Sequence, residues 1–295
     1  MPGVRPLPGI LTLILSSWAL SSLDASGKWI MAAGVSLWVM VWVRYSVHLV
    51  LVLALVLPTR GRRVLRSVRP RGQLLRGAAM LLATLCLFNT LSYLPQAETT
   101  AINFLAPLII LLLAPWLLKE PSRISRWVAA CCAFAGVLII IRPAAGLDPV
   151  GVMWGLITAV VFAGQYMTTR SVAVDDPLTT LIWSGAMGTI ALSAAMPFLL
   201  PEALPLLRSL SLRHWIVLLS TGMLGAVGHL LLIQAYRYAP ASLLAPFLYL
   251  QIVAATTLGW LVWGHLPDGI SLLGIAVVCG SGALLAVWEW RRKPA

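Results

Sequence analysis

Long apolar stretches, cut at short intervals by Arg, Pro or Gly, run through almost the whole chain. Ten such segments can be marked, at about residues 8–24, 33–57, 73–94, 97–118, 124–141, 150–170, 178–200, 214–237, 241–264 and 269–290. A helix crosses the hydrocarbon layer with roughly 20 residues. Irregular backbone facing lipid would strand its N–H and C=O groups. The pattern therefore predicts an all-α integral membrane protein with ten transmembrane helices. Composition agrees: 60% of residues are hydrophobic and 10% charged, against about 45–50% and about 25% in soluble domains. A water-soluble globule is excluded, and so is a disordered chain, which needs a polar excess.

The first segment, preceded by Arg5, has the length of a signal peptide. It lacks a clear small-residue cleavage site and has a counterpart later in the chain, so it is expected to stay as a helix. The four cysteines (Cys86, Cys131, Cys132, Cys279) all lie in apolar runs, with no zinc-ligand spacing and no pair outside the spans. They read as packing residues.

The 21 Lys and Arg residues set the orientation. Alternate loops collect them on one side: Arg5, the cluster Arg60, Arg62, Arg63, Arg66, Arg69, Arg71 and Arg76, then Lys119, Arg123, Arg126, Arg170, Arg237, Arg291, Arg292 and Lys293. The other side receives Lys28, Arg142, Arg208 and Arg213, and Arg44 falls within a span. Positive loops stay in the cytoplasm, so both termini are expected there, in a multi-pass inner membrane protein. The arginine stretch at 60–76 looks superficially like a nucleic-acid patch. Contact with anionic lipid accounts for it without one, and no nucleic-acid partner is expected.

The two halves, 1–145 and 146–295, overlay as five-segment repeats. Tyr93-Leu94-Pro95 matches Tyr238-Ala239-Pro240, and Asn89 and Gln234 each lie four residues before those tyrosines. Gly9 and Lys28 are 19 residues apart, as are Gly151 and Arg170. Pro121 and Gly136 match Pro267 and Gly282 at a common offset of 146. An odd number of spans per repeat makes the second half enter from the opposite side. The expected architecture is two inverted repeats around a central cavity, which secondary transporters use to open a midplane site to each side in turn.

This arrangement resembles the EamA-type exporters of the drug/metabolite transporter superfamily. The segment Ala235–Tyr249, with Pro240 and Pro246, carries the likeness, followed by Gly259 and Pro267-Asp268. The first half adds Pro107, Lys119-Glu120 and Gly136. Within the family the chain looks most like the YddG-type amino-acid exporters. One departure stands out: the second repeat has Gly264-His265-Leu266-Pro267 where the family usually has Gly-Glu-x-Pro.

Polar residues inside apolar helices are costly, and by default they face the bundle interior. Arg44 lies inside the second span with His48 one turn away on the same face. Its guanidinium either meets a substrate carboxylate or bridges a gap between helices. The sixth span carries Trp154, Thr158, Phe162, Gln165 and Thr169 at helical spacing, as either a cavity wall or interhelical glue. Asn89 with Tyr93, Gln234 with Tyr238, and Thr99 with Asn103 occupy shared faces of three further helices. Tyr249 completes the candidate substrate-binding set. His229 and Gln251 have no clear place.

No phosphate loop G-x-x-x-x-G-K-[ST] occurs, so neither ATP use nor an ATPase subunit is implied. No metal-ligand cluster and no cofactor motif is present, and no catalytic residues are expected. The reading is a secondary transporter exporting small metabolites, most naturally amino acids, by alternating access. A nucleotide- or sugar-conjugate carrier is the alternative from the same superfamily. An enzyme acting on lipid-linked substrates is the alternative from another class, and it would want clustered carboxylates or histidines at one interface. Partners are then a small-molecule substrate and the bilayer; oligomeric state is left open, since a monomer suffices. Alkaline phosphatase fused after Ala295 is expected to be inactive, and active when inserted at Gly146; activities the other way round would reverse the orientation.

Overall fold

The computed structural model describes residues 6–106, 108–110, 124–140, 146–172, 174–238, 247 and 250–291. Among them the chain is helical with no strand: α1 (Pro6–Ala32), α2 (Leu37–Arg60), a 3₁₀ helix (Gly61–Leu65), α3 (Pro70–Tyr93), α4 (Gln96–Asn103), α5 (Ile124–Ile140), α6 (Pro149–Ser171), α7 (Pro177–Ser209), α8 (Leu212–Tyr238), α9 (Leu250–Trp263) and α10 (Gly269–Arg291). Six of the described helices are long and apolar enough to cross a membrane: those beginning at Leu7, Leu37, Pro70, Pro149, Pro177 and Leu212. Their outward surface is apolar, with Ile190 69% and Phe198 80% exposed. That surface is stable only against lipid.

Short polar residues explain where helices begin. Gly34, at φ 94°, ends α1 in the left-handed conformation, and Ser36 then opens α2 by accepting from Val39 N–H at 3.4 Å. Asp148, Asp176 and Asp268 accept from Val150, Leu178 and Ser271 N–H at 2.7, 2.8 and 2.8 Å. Three of the nine acidic residues are thus helix caps. Pro95 precedes α4, in keeping with a turn at Tyr-x-Pro.

Some boundaries differ from the sequence expectation. Helix α1 continues to Ala32 rather than ending near 24, so Asp24 and Lys28 are helical. Helix α7 runs to Ser209, through Pro197, Pro201 and Pro205 on one face. The expected span 97–118 is interrupted at Phe104, where α4 ends, and much of its second half lies outside the described residues.

The principal packing pairs are α1 with α8, α3 with α6, α5 with α10, and α2 with α7 and α8. Helix α3 also meets α7, α1 meets α9, and α4 meets α6 and α9. The two largest apolar cores among the described residues lie in different sets of helices. One joins α1, α2, α3, α7 and α8 through Ile30, Met40, Tyr45, Phe88, Leu192 and Leu218. The other joins α4, α5, α6, α9 and α10 through Ile102, Val137, Ala159, Ile252 and Val278. Lipid is as apolar as a leucine side chain, so close van der Waals contact carries helix association. Gly222 provides that contact: a Cβ there would lie 2.5 Å from Val47 Cβ and 2.8 Å from the Arg44 carbonyl oxygen.

One polar knot fixes the α2–α3 connection to the α6–α7 connection. Asp175 accepts from Ser67 Oγ at 2.5 Å, Val68 N–H at 2.7 Å and Gln73 Nε2 at 2.8 Å. Burial raises its carboxyl pKa, but hydrogen bonds from Ser67, Gln73 and the Val68 and Arg69 backbone outweigh burial and leave it below 3.8. Beside it Arg60 pairs with Asp176 at 2.9 Å, half-exposed and therefore weak.

Three outcomes are expected. Gly222→Leu should destabilise the α2–α8 seam by about 1–3 kcal/mol, read as a lower thermal midpoint in detergent. Gly280→Ala, with nothing within 4 Å of its Cβ, should be near neutral. Because the folded Asp175 is the stronger acid, its contribution is complete above the unfolded value of 3.8 and is lost as pH falls through the folded value. Protease cleavage within 61–69 should rise below about pH 4 in the wild type, and Asp175→Asn should remove that pH step.

Candidate functional site

Arg44 projects from α2 into the first core and is buried. Its Nη1 donates to Thr84 Oγ1 of α3 at 3.0 Å, and Tyr45 Oη lies 3.0 Å from the same hydroxyl. The guanidinium stacks 5.0 Å over the Tyr45 ring. Its Nε has no protein partner. The bare backbone at Gly225 of α8 leaves room beside it: a Cβ there would sit 3.7 Å from Nε. Asp24 of α1 lies within electrostatic reach, beyond ion-pair distance.

One turn along α2, His48 is also buried and its Nε2 is likewise unpartnered. Its ring meets His229 of α8 edge-on, with centroids 6.5 Å apart. The i, i+4 pairing of Arg44 and His48 therefore holds as geometry, and His229, which has no clear place in the sequence, joins them. Gly185 of α7 closes the other side, where a Cβ would lie 3.1 Å from the His48 ring.

Arg76, counted with the positive side and inside the expected span 73–94, sits on α3, six residues beyond Pro70. It donates to Thr169 Oγ1 of α6 at 3.2 Å, to the Thr180 carbonyl of α7 at 3.3 Å, and to Ser184 Oγ. The signal is present in the sequence: Leu74 and Leu75 precede it and Gly77-Ala78-Ala79 follow, so it already lies inside an apolar run. Lys28 is likewise helical, and its Nζ donates to the Leu94 carbonyl at 2.5 Å while standing over Trp263.

The α6 stripe divides into two kinds of residue. Thr158 is consumed by packing, bonded to the Trp154 carbonyl at 2.7 Å and facing Thr90 at 3.1 Å. Phe162 stacks on Tyr166 with centroids 6.3 Å apart, and Trp154 and Phe162 are half-buried. Gln165 is buried with Oε1 unpartnered. On α4, Thr99 Oγ1 and Asn103 Oδ1 are buried and unpartnered too. Asn89 and Gln234 are half-buried on α3 and α8. Tyr93, at the end of α3, and Tyr238, the last described residue of α8, are 46% and 37% exposed. Tyr249 lies outside the described residues.

At the α3–α4 turn, buried Glu98 meets His265 Nε2 at 3.2 Å through Oε1. His265 is the residue that replaces the family's usual glutamate, so the departure from pattern is a contact with another acid. Gln96 Nε2 donates to the Ser21 carbonyl at 2.7 Å alongside. Among the described residues two pockets lie at helix ends. One, about 270 Å³, is lined by Arg60, Arg63, Arg66, Asp175, Asp176 and Thr179; the other, about 380 Å³, lies by Gly34, Ser36, Trp38 and Glu202. The described residues hold no cluster of metal-ligating side chains.

The EamA-like transporter family model matches residues 7–142 and again 149–287. An uncharacterized transporter of Helicobacter pylori is 29% identical over 82% of this chain and 83% of its own. A protein named as a riboflavin transporter in Vibrio cholerae is 26% identical over 98% and 96%. One named as an S-adenosylmethionine uptake transporter in Rickettsia bellii is 25% identical over 74% and 73%. A solved crystal structure superposes with a TM-score of 0.67 over 98% of both chains at 20% identity, a likeness of fold.

Proposed function

Since the chain belongs to the EamA-like transporter family, and is thus a multi-pass membrane transporter rather than an enzyme, we propose that it is a secondary transporter exporting small amphipathic metabolites, amino acids foremost. One observation carries this. Arg44, His48, Thr99, Asn103 and Gln165, on three helices, all bury polar atoms that no protein group satisfies. An unmade bond on a buried polar group costs about 1–3 kcal/mol. A bundle with an apolar exterior keeps several only where water or a polar solute comes to meet them.

The pairing of helices supports the inverted-repeat reading. Adding or subtracting five turns α1–α8 into α6–α3 and α2–α8 into α7–α3, while α2–α7, α4–α9 and α5–α10 map onto themselves. A pseudo-twofold axis produces that pattern, and an odd number of spans per half inverts one half against the other. Alternating access then follows from rocking the halves about the seam that holds Arg44 and His48. Polar contacts come from Arg44, Asn89, Gln165 and Gln234, and apolar walls from Trp154 and Phe162.

The relatives' names widen the panel to riboflavin and S-adenosylmethionine, the latter carrying an amino-acid head. A nucleotide-conjugate carrier is the second reading. Arg76 favours it, since such a substrate needs more positive charge than Arg44 alone.

Purified protein in liposomes is expected to accelerate flux of at least one amino acid, with unlabelled nucleotide conjugates competing poorly. Arg44→Gln should lower that flux about tenfold or more, matching the loss of a charged hydrogen bond of about 1.5–3 kcal/mol. No protein-dependent flux across amino acids, riboflavin, S-adenosylmethionine and nucleotide conjugates would defeat the transport reading.

A further inference from the structure

The connection between α2 and α3 carries six arginines in twelve residues: Arg60, Arg62, Arg63, Arg66, Arg69 and Arg71. Keeping such a connection on one side of a membrane needs only charge, and a loose loop supplies charge without the entropy cost of order. This connection is pinned. Thr179 Oγ1 donates to the Val64 carbonyl at 2.7 Å, and Trp183 Nε1 to the Leu65 carbonyl at 3.0 Å. Asp175 accepts from Ser67 Oγ and Val68 N–H. Val64 is buried, while Arg62, Arg63, Arg66 and Arg71 are exposed. Helix α7 and the α6–α7 connection thus hold the backbone of 64–68 in one conformation, with the arginines outward.

The 3₁₀ geometry of Gly61–Leu65 then sorts them, because side chains three apart on such a turn eclipse one another. Arg60, Arg63 and Arg66 form that row, and all three line one wall of the pocket of about 270 Å³. Val174, Asp175 and Asp176 line the other. The acids are already used: Asp176 pairs with Arg60 and caps α7, and Asp175 is filled by Ser67, Val68 and Gln73. Arg63 and Arg66 have no ion pair and no side-chain hydrogen bond among the described residues. Two neighbouring cations without a partner repel each other, and a guanidinium fork fits a phosphate through two parallel N–H···O bonds.

Apolar surface adjoins this charge. Val68 and Val174, which line the pocket, are 76% and 60% exposed, and Leu55, Leu74 and Leu75 are exposed on the adjoining ends of α2 and α3. A soluble anion would leave that surface bare. A phosphate that brings acyl chains with it covers it.

We propose that this pocket binds the phosphate headgroup of an anionic phospholipid, with Arg63 and Arg66 as its cationic contacts and the acyl chains along the exposed apolar ends of α2 and α3. One wall belongs to 60–68 and the other to 174–179, so the bound lipid fastens the two connections to each other. The site lies outside the carrier reading, which uses none of these residues.

The full-length protein in nonionic detergent is titrated with phosphatidylglycerol or phosphatidylcholine, and lipid retention by native mass spectrometry is followed beside the thermal midpoint. Phosphatidylglycerol should bind saturably and raise the midpoint; phosphatidylcholine should do neither. Arg63→Gln with Arg66→Gln should weaken phosphatidylglycerol about tenfold or more, at several-fold for each arginine near anionic lipid. Arg62→Gln with Arg71→Gln removes the same charge from the same connection outside the pocket, and should cost about threefold or less. Equal losses in the two double variants mean diffuse attraction alone and overturn the proposal, as does equal binding of the two lipids. The same midpoint shift from inorganic phosphate or glycerol 3-phosphate would assign the pocket to a soluble anion and overturn it too. Should the first double variant fail to fold, Arg66→Gln against Arg71→Gln makes the same comparison with one charge.

Discussion

A helix inside a bilayer has satisfied its own backbone and has no water to satisfy anything else. Every other feature here follows from that limit. Side chains facing lipid must be apolar, as the exposed Ile124 and Phe198 are. Side chains with polar atoms must either find each other or border a space that water and solutes can enter. Thr90 with Thr158 and Tyr45 with Thr84 are pairs of the first kind. Arg44 Nε, His48 Nε2 and Gln165 Oε1 are buried without a protein partner.

The same limit distributes charge. Where helices reach the ends of the bundle, carboxylates are useful as caps, and Asp148, Asp176 and Asp268 are spent that way. Asp175 ties two connections together through three donors. These uses leave few acids for the interior, which is why Arg44 and Arg76 rest largely on neutral oxygens.

Close approach supplies the cohesion that hydrophobicity cannot supply between helices in lipid. At Gly222 the α8 backbone comes against Val47 and the Arg44 carbonyl, and at Gly185 the α7 backbone comes against His48. The small residues therefore do two things at once: they let helices touch, and they press α7 and α8 against the polar face of α2. Helix packing and the position of the site are one construction.

Much of this is legible in the sequence because a bilayer imposes a length and a polarity that can be counted along the chain. Apolar runs of spanning length announce helices, and Pro95 and the acidic residues near run ends announce turns and caps. The four-residue spacing of Arg44 and His48 is enough to place them on one face of a helix. Hydropathy ends the first helix too early and leaves Lys28 outside it, since a helix end is set by capping and neighbouring contacts that hydropathy does not register. Partners across the bundle are also invisible to it: Arg76 with Thr169 and Ser184, His48 with His229, and Glu98 with His265 join residues far apart in the chain. The one-dimensional order determined that this chain lives in a membrane, where its helices run, and which residues are too polar to face lipid. Only the tertiary structure decided which of those residues satisfy one another and which remain open, because that depends on distances between helices that no local pattern encodes.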